Sequence, residues 1–301
     1  MDRERSLSSL TIGISLVLSV VLSRLSLGVL VYPIPVMLSS YRMERTRDSV
    51  LLQAAALIIV LVWRIVPEVK FINSDTLGMF LIGLVFILST GLTTLIYTAL
   101  REYSTSMLRK LVIASVPVMV LGCAYAIWLE SESGLVAAEG IRKLFSTVMP
   151  ETELFAEVGL LVVKLFVVPF SMVFGAIPVL FTESAVNRFK SEWQANFASM
   201  MMPPVFFWVF CSLLAVSLAG YIAGSRIVTL VGVNLLMGFG LHYILNGLSV
   251  VHAWLRSKNP AFSASTLIYL LFFISFIPFL GGVAWLVLLV TGLLERWVRM
   301  R

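Results

Sequence analysis

Apolar residues dominate the chain in long uninterrupted runs. Six of these runs lie at approximately 49–66, 76–100, 111–129, 157–181, 203–223 and 228–253. An α-helix needs about 20 apolar residues to cross the hydrocarbon core of a bilayer, whereas a transmembrane β-barrel shows short alternating segments. The pattern therefore predicts an all-α, polytopic transmembrane bundle with six firm spans.

A pair of shorter apolar segments flanks these spans at each end of the chain. The pairs are 10–23 with 28–41, and 264–278 with 283–294. Each segment is shorter than an ideal span, so each pair either crosses twice or enters as a re-entrant hairpin, which gives eight to ten segments in all. Both alternatives return the chain to the same side.

Composition and charge agree with this class and set an orientation. The chain is 59% hydrophobic and 13% charged, with a mean hydropathy of +1.00, which excludes a soluble globular domain. With the N-terminus inside, fifteen of the 22 Lys and Arg residues lie in inner loops and termini, and six lie in outer loops. The excess of positive charge predicts that both termini are cytoplasmic. We interpret the net charge of +6 as this membrane face, not as a nucleic-acid surface.

The longest outer loop, 130–156, is acidic and contains an apolar repeat at helical spacing. The repeat predicts an amphipathic helix on the outer surface, which either covers its neighbours or acts as a gating lid. Its members are Ile141, Leu144, Phe145, Val148 and Met149. This loop divides a single integral membrane domain, 1–301, into halves of about 1–129 and 157–301.

The last long span carries a polar stripe. With Asn234 at zero and 100° per residue, His242 falls near 80°, Asn246 near 120°, Ser249 near 60° and His252 near zero. These residues share one third of the circumference, so we expect that face to turn inward, as a hydrogen-bonded packing face or as the lining of a substrate site. The two His, about 15 Å apart along the axis, cannot share a metal ion, and we expect no metal site.

Lys164 is the one basic residue assigned within a span. A cation at that depth is costly unless it is paired or reaches the interface. Glu157, seven residues earlier, is the expected partner, and the alternative is contact with an anion or substrate.

Two further features concern the N-terminal segments. Ser15, Ser19 and Ser23 form a seam of small residues that lets another helix approach closely, within the chain or from a partner. The segment "YPIPV", beginning at Tyr32, cannot continue a regular helix, and it predicts a bent or unwound segment at membrane depth.

Four stretches resemble the YybS-like family of uncharacterised bacterial membrane proteins. They are "VYPIPVMLSSYR" (31–42), "FKSEWQANFASMMMPPVFFWVF" (189–210), "VNLLMGFGLHYILNGLSVVHAWL" (233–255) and "LLERWVRMR" (293–301). In the last stretch the family carries an Asp-type acid where this chain has Glu295. The N-terminal half of that family is similar to S components of energy-coupling-factor vitamin transporters. The resemblance implies a location in the bacterial inner membrane and a serine seam that docks a coupling subunit, itself driven by an ATPase.

Motifs for catalysis and nucleotide hydrolysis are absent from the sequence: there is no G-x-x-x-x-G-K-[ST], H-E-x-x-H or G-x-S-x-G. No acid is expected deep in a span. Our leading hypothesis is a non-enzymatic, cofactor-free protein that captures a small substrate and works with partner subunits in the bilayer. The ligand contacts are then Asn234, His242, Asn246, Ser249, Lys164 and Tyr32. The alternatives are a membrane scaffold without a ligand and, less favoured, an intramembrane enzyme that uses His242 or His252 as a base.

Overall fold

The computed structural model describes residues 2–24, 28–103, 105–148, 153–187, 190–275, 277 and 279–298, and these residues contain no β-strand. Thirteen α-helices are described. They are α1 (Asp2–Arg24), α2 (Gly28–Val31), α3 (Ile34–Ser40), α4 (Thr46–Glu68), α5 (Ser74–Ala99), α6 (Met107–Glu130), α7 (Leu135–Val148), α8 (Glu153–Asn187), α9 (Ser191–Ala198), α10 (Pro204–Ile222), α11 (Arg226–Lys258), α12 (Ala264–Ser275) and α13 (Leu280–Val298). Short 3-10 turns, Val69–Phe71 and Glu132–Gly134, follow α4 and α6.

Six of these helices are long and apolar enough to cross a membrane, so six long apolar helices are confirmed at the positions of the predicted spans. Their apolar parts are Thr46–Phe71, Thr76–Ala99, Met107–Trp128, Leu154–Asn187, Pro204–Ile222 and Arg226–Lys258. The largest difference is in α8, which runs to Asn187. The six residues after the predicted span 157–181 therefore continue the helix.

Polar side chains cap the N-termini of two of the long helices. Asn73 and Thr76 form a capping box at α5, in which each side chain accepts a hydrogen bond from the other residue's backbone N–H, at 2.9 and 3.0 Å. Ser106 accepts from the Arg109 N–H at the start of α6. These caps supply acceptors to N–H groups that have no partner within the helix.

The N-terminal pair of short segments lies along the whole of α4. At one end Arg24 donates to the Trp63 carbonyl at 3.2 Å, and at the other Ser49 donates to the Ser40 carbonyl at 3.0 Å. The expected break at "YPIPV" is present, because α2 ends at Val31 and α3 begins at Ile34.

The predicted outer helix is α7, which begins six residues earlier than the apolar repeat. Ile141 is fully buried and Phe145 half-buried, whereas Leu144 is exposed. The α7 helix packs on α5 and α8. Of the predicted repeat, Met149 lies outside the described residues, and so does the side chain of Val148.

The C-terminal pair forms a hairpin. Helix α12 has 12 residues, hence a length of about 18 Å against a hydrocarbon core of about 30 Å. The indole N–H of Trp285 donates to Ser275 Oγ at 2.7 Å and joins the two arms near their turn. The turn is apolar and outward-facing, with Phe279 87% exposed.

Helices of both halves share the interior. Helix α8 packs against α5 and α6, and α11 packs against α6, α8, α10 and α13. The largest core cluster accordingly draws on α5, α6, α7, α8 and α11. At one end of the bundle Tyr41, Tyr97 and Glu183 meet, and we call it the Glu183 end. Helix α7 marks the other end.

Glycines allow α13 to touch the backbone of α11. A Cβ at Gly247 would overlap the Leu288 carbonyl, and one at Gly292 would overlap the Tyr243 carbonyl. Both obstacles are backbone atoms, so neither can be relieved by turning a side chain.

We therefore expect Gly292→Ala to lower the free energy of unfolding by about 1–3 kcal/mol, because it forces two helices apart. Gly282→Ala, in the same helix but with nothing within 4 Å of the added Cβ, is the matched control and is expected to leave the melting temperature in detergent unchanged or slightly raised. Equal melting temperatures for the two variants would contradict the close crossing.

Candidate functional site

The polar stripe of α11 faces the interior. Asn234, Ser249 and His252 are 0% exposed, Asn246 is 2% exposed and His242 is 3% exposed. The helical spacing therefore identified the buried face correctly. The five side chains do not share one site, however, since they contact different elements.

Asn234 contacts the backbone of α8 one turn before Pro169. Its side-chain N–H donates to the Lys164 carbonyl at 2.7 Å, and its carbonyl oxygen accepts from the Val168 N–H at 3.2 Å. These two backbone groups pair with each other in a regular α-helix. Pro169 lacks the N–H that would pair with the Leu165 carbonyl, so the amide supplies hydrogen bonds to the pair of backbone groups next to the one that Pro169 removes. Asn234 is thus occupied by α8 and does not line the cavity described next.

His242 lines a cavity of about 410 Å³ between α8, α11 and the α12–α13 hairpin. Its Nε2 lies 3.3 Å from Ser115 Oγ on α6. The Ser115 hydroxyl donates to the Val112 carbonyl at 2.7 Å, so it is available to His242 only as an acceptor. His242 Nδ1 makes no hydrogen bond of acceptable geometry to a described residue, although the carbonyls of Gly238 and Leu111 lie near the ring.

The cavity wall is almost entirely apolar and aromatic, and the described residues that form it include no Asp, Glu, Lys or Arg. Its polar side chains are His242, Ser115 and Thr93 on the inner wall and Ser275, with Trp285, on the hairpin. The rest of the wall comprises Leu111, Phe170, Met172, Val173, Phe174, Ala176, Ile177, Leu180, Phe181, Leu241, Ile244, Leu245, Leu248, Ile268, Leu271 and Phe272. The volume lies within the range of small-molecule sites.

Asn246 and Ser249 of the stripe hold neighbouring elements against α11. Asn246 donates to the Gly292 carbonyl and to Glu295 Oε2, both at 2.9 Å, and it lines with Glu295 a small cavity of about 110 Å³. Ser249 donates to the Met200 carbonyl at 3.0 Å. Helix α11 thereby holds α13 and the segment before α10.

Lys164 forms an ion pair, but the predicted partner was wrong. Its Nζ lies 2.6 Å from Glu130 Oε1 at the end of α6, whereas Glu157 pairs with Arg142 of α7 at 3.0 Å. The spacing within α8 indicated Glu157, but a neighbouring helix brings a carboxylate closer. Lys164 does not line the large cavity.

Tyr32 and the serine seam are buried within the chain. Tyr32 is 1% exposed, and its hydroxyl donates to the Ile87 carbonyl at 3.0 Å. Ser15 Oγ lies 2.5 Å from Ser39 Oγ of α3, and Ser19 and Ser23 are also buried. This arrangement favours packing within the chain, and docking of a partner helix on the seam stays a prediction.

A buried acid, Glu183, was missed by sequence reasoning. It is 8% exposed and accepts hydrogen bonds from the hydroxyls of Tyr41 and Tyr97, the latter at 2.8 Å, and from Asn187 Nδ2 at 2.6 Å. The carboxylate therefore joins the residue after α3 to α5 and α8. Glu295 in α13 is also buried, at 4% exposed. Glu183 lies four residues before the end of α8, so the expectation that no acid lies deep in a span stays a prediction.

Searches of protein-family models, curated proteins and solved structures find no match to this chain. The class of the protein is therefore inferred from its own helices: six long apolar helices suggest a multi-pass membrane protein. Among the described residues, no group of three His, Cys, Asp or Glu side chains is placed to hold a metal ion.

The role of Asn234 can be tested with a double-mutant cycle. Asn234→Leu removes the amide and is expected to cost about 1–3 kcal/mol of stability, because buried backbone groups lose a partner. In a Pro169→Ala background, α8 can form its regular ladder, so the same substitution should cost less. Thermal unfolding of the four proteins would contradict the role if the two effects were additive.

The Glu183 cluster predicts a second, separate effect. Tyr97→Phe removes a buried hydrogen bond to a carboxylate and is expected to cost about 1.5–3 kcal/mol. Tyr103→Phe, at a side chain that is 64% exposed, is the control and should be neutral. Similar melting temperatures for both variants would show that Glu183 does not depend on this hydroxyl.

Proposed function

We propose that the chain is a non-enzymatic, multi-pass membrane protein that captures a small molecule in the cavity beside His242. The observation that carries this proposal is the cavity of about 410 Å³, into which the stripe of α11 contributes one polar side chain. The other candidate ligand residues contact neighbouring elements of the chain instead of the cavity. The proposed site therefore includes fewer residues than the polar stripe predicted.

The Glu183 end is proposed to face the cytoplasm. Lys164 and Glu183 are 19 residues apart on α8, about 28 Å along the axis, with no charged side chain between them. That separation is close to the thickness of the hydrocarbon core. The two paired charges then lie at opposite borders of the bilayer, and the excess of basic residues near Glu183 favours the cytoplasmic side.

An S-component-like arrangement fits this proposal, since the chain would capture a substrate and leave energy coupling to partner subunits. The sequence contains no phosphate-binding loop of the type that hydrolyses ATP. A scaffold without a ligand is less favoured, because core packing leaves few voids and a scaffold has no need of a cavity lined from six helices.

Native mass spectrometry of protein released directly from membrane vesicles tests the proposal. Wild-type protein is expected to retain a small molecule. Val173→Trp places an indole in the cavity and should abolish retention, since Val173 lines it.

Val162→Trp is the matched control. It introduces the same change on the same helix at a side chain that is 37% exposed and outside the cavity, and it should retain the molecule. Absence of any bound molecule from wild-type protein, or equal retention by both variants, would contradict the proposed function.

A further inference from the structure

The cavity has a mouth on the outer surface of the bundle, halfway along α8. Phe170 is 44% exposed and Ser275 is also exposed, yet both contribute to the cavity wall. Phe170 lies near the middle of the span Leu154–Asn187. The surface around the mouth is apolar, with Leu270 and Phe273 exposed by 50% and 69%. A mouth at this depth opens onto acyl chains and not onto water.

The wall excludes charged ligands. Among the described residues that line it, none is acidic or basic, and an ion transferred from water into such a site without a counter-ion is strongly disfavoured. The two charged side chains of α8 on either side of the cavity do not line it. Lys164 is paired with Glu130, and Glu183 accepts hydrogen bonds from two tyrosines and Asn187.

His242 adds little polarity to the inner wall. Its Nε2 lies 3.3 Å from Ser115 Oγ, and the Ser115 hydroxyl itself donates to the Val112 carbonyl. Its Nδ1 is buried within the protein, and the carbonyls of Gly238 and Leu111 lie near the ring. The wall at this residue therefore favours an apolar ligand.

The volume of the cavity indicates the size of the ligand. An apolar cavity of about 150 Å³ holds a benzene molecule, so about 410 Å³ accommodates a molecule two to three times larger. Phe170, Phe174 and Phe272 on the wall provide surfaces for a chain or a ring.

We propose that the cavity takes a neutral, lipid-soluble molecule, which enters sideways from the bilayer between α8 and the α12–α13 hairpin. The inference rests on the proposed function and names the substrate class of the same site. It distinguishes a ligand dissolved in the membrane from a charged, water-soluble one.

Photolabelling in lipid nanodiscs tests the class. A photoreactive dodecanol is expected to label peptides of α8 and α12 at the cavity. Unlabelled dodecanol should reduce that labelling, whereas dodecyl phosphate, which has the same chain and a charged head, should not.

Two substitutions test where the label binds. Val173→Trp places an indole in the cavity, so labelling of the cavity is expected to be lost. Val162→Trp, on the same helix and outside the cavity, should match wild-type protein. Unchanged labelling of Val173→Trp would overturn the assignment of the label to this cavity.

The outcomes separate the two proposals. Competition by dodecyl phosphate as strong as by dodecanol would overturn the neutral class and leave ligand capture standing. Absence of cavity labelling, with a bound molecule still found by native mass spectrometry, would also overturn only the class. If neither method finds a ligand, the proposed function fails as well.

Discussion

The interior of a membrane offers no water to a backbone group that lacks a hydrogen-bond partner. This constraint is strongest in α8, because Pro169 removes a backbone N–H donor from the middle of the longest described helix. The acceptor that loses this donor is the Leu165 carbonyl, and Asn234 supports the adjacent pair of backbone groups by contacting the Lys164 carbonyl and the Val168 N–H. The next turns of α8, from Phe170 onwards, form one wall of the cavity, so the geometry of the proposed site depends on how this turn is held.

The polar residues of the α11 stripe therefore have different structural roles. Asn234 supports α8, Asn246 holds α13 and Ser249 holds the segment before α10. Only His242 faces the large void. Such residues are costly in an apolar helix unless their groups are satisfied, and here they determine which helix lies against which face of α11. His252 instead contacts the rings of Phe197 and Phe262.

The sequence was sufficient for features that depend on local periodicity. Six runs of apolar residues predicted the long helices, and the spacing from Asn234 to His252 predicted the buried face. Features that depend on two distant segments were not accessible. Glu130 and Lys164 are 34 residues apart, and Glu183 meets a tyrosine 142 residues away, so no spacing rule links them. The cavity likewise arises where the short α12–α13 hairpin meets α8, and its volume depends on packing that hydropathy does not encode.

A density map of the protein in lipid nanodiscs tests the central claim most directly. The account predicts elongated density between α8 and the α12–α13 hairpin, with one end beside His242, and Asn234 placed against the α8 backbone at Pro169. A hairpin closed onto α8, with Phe272 and Trp285 filling the space and no density beside His242, would contradict it.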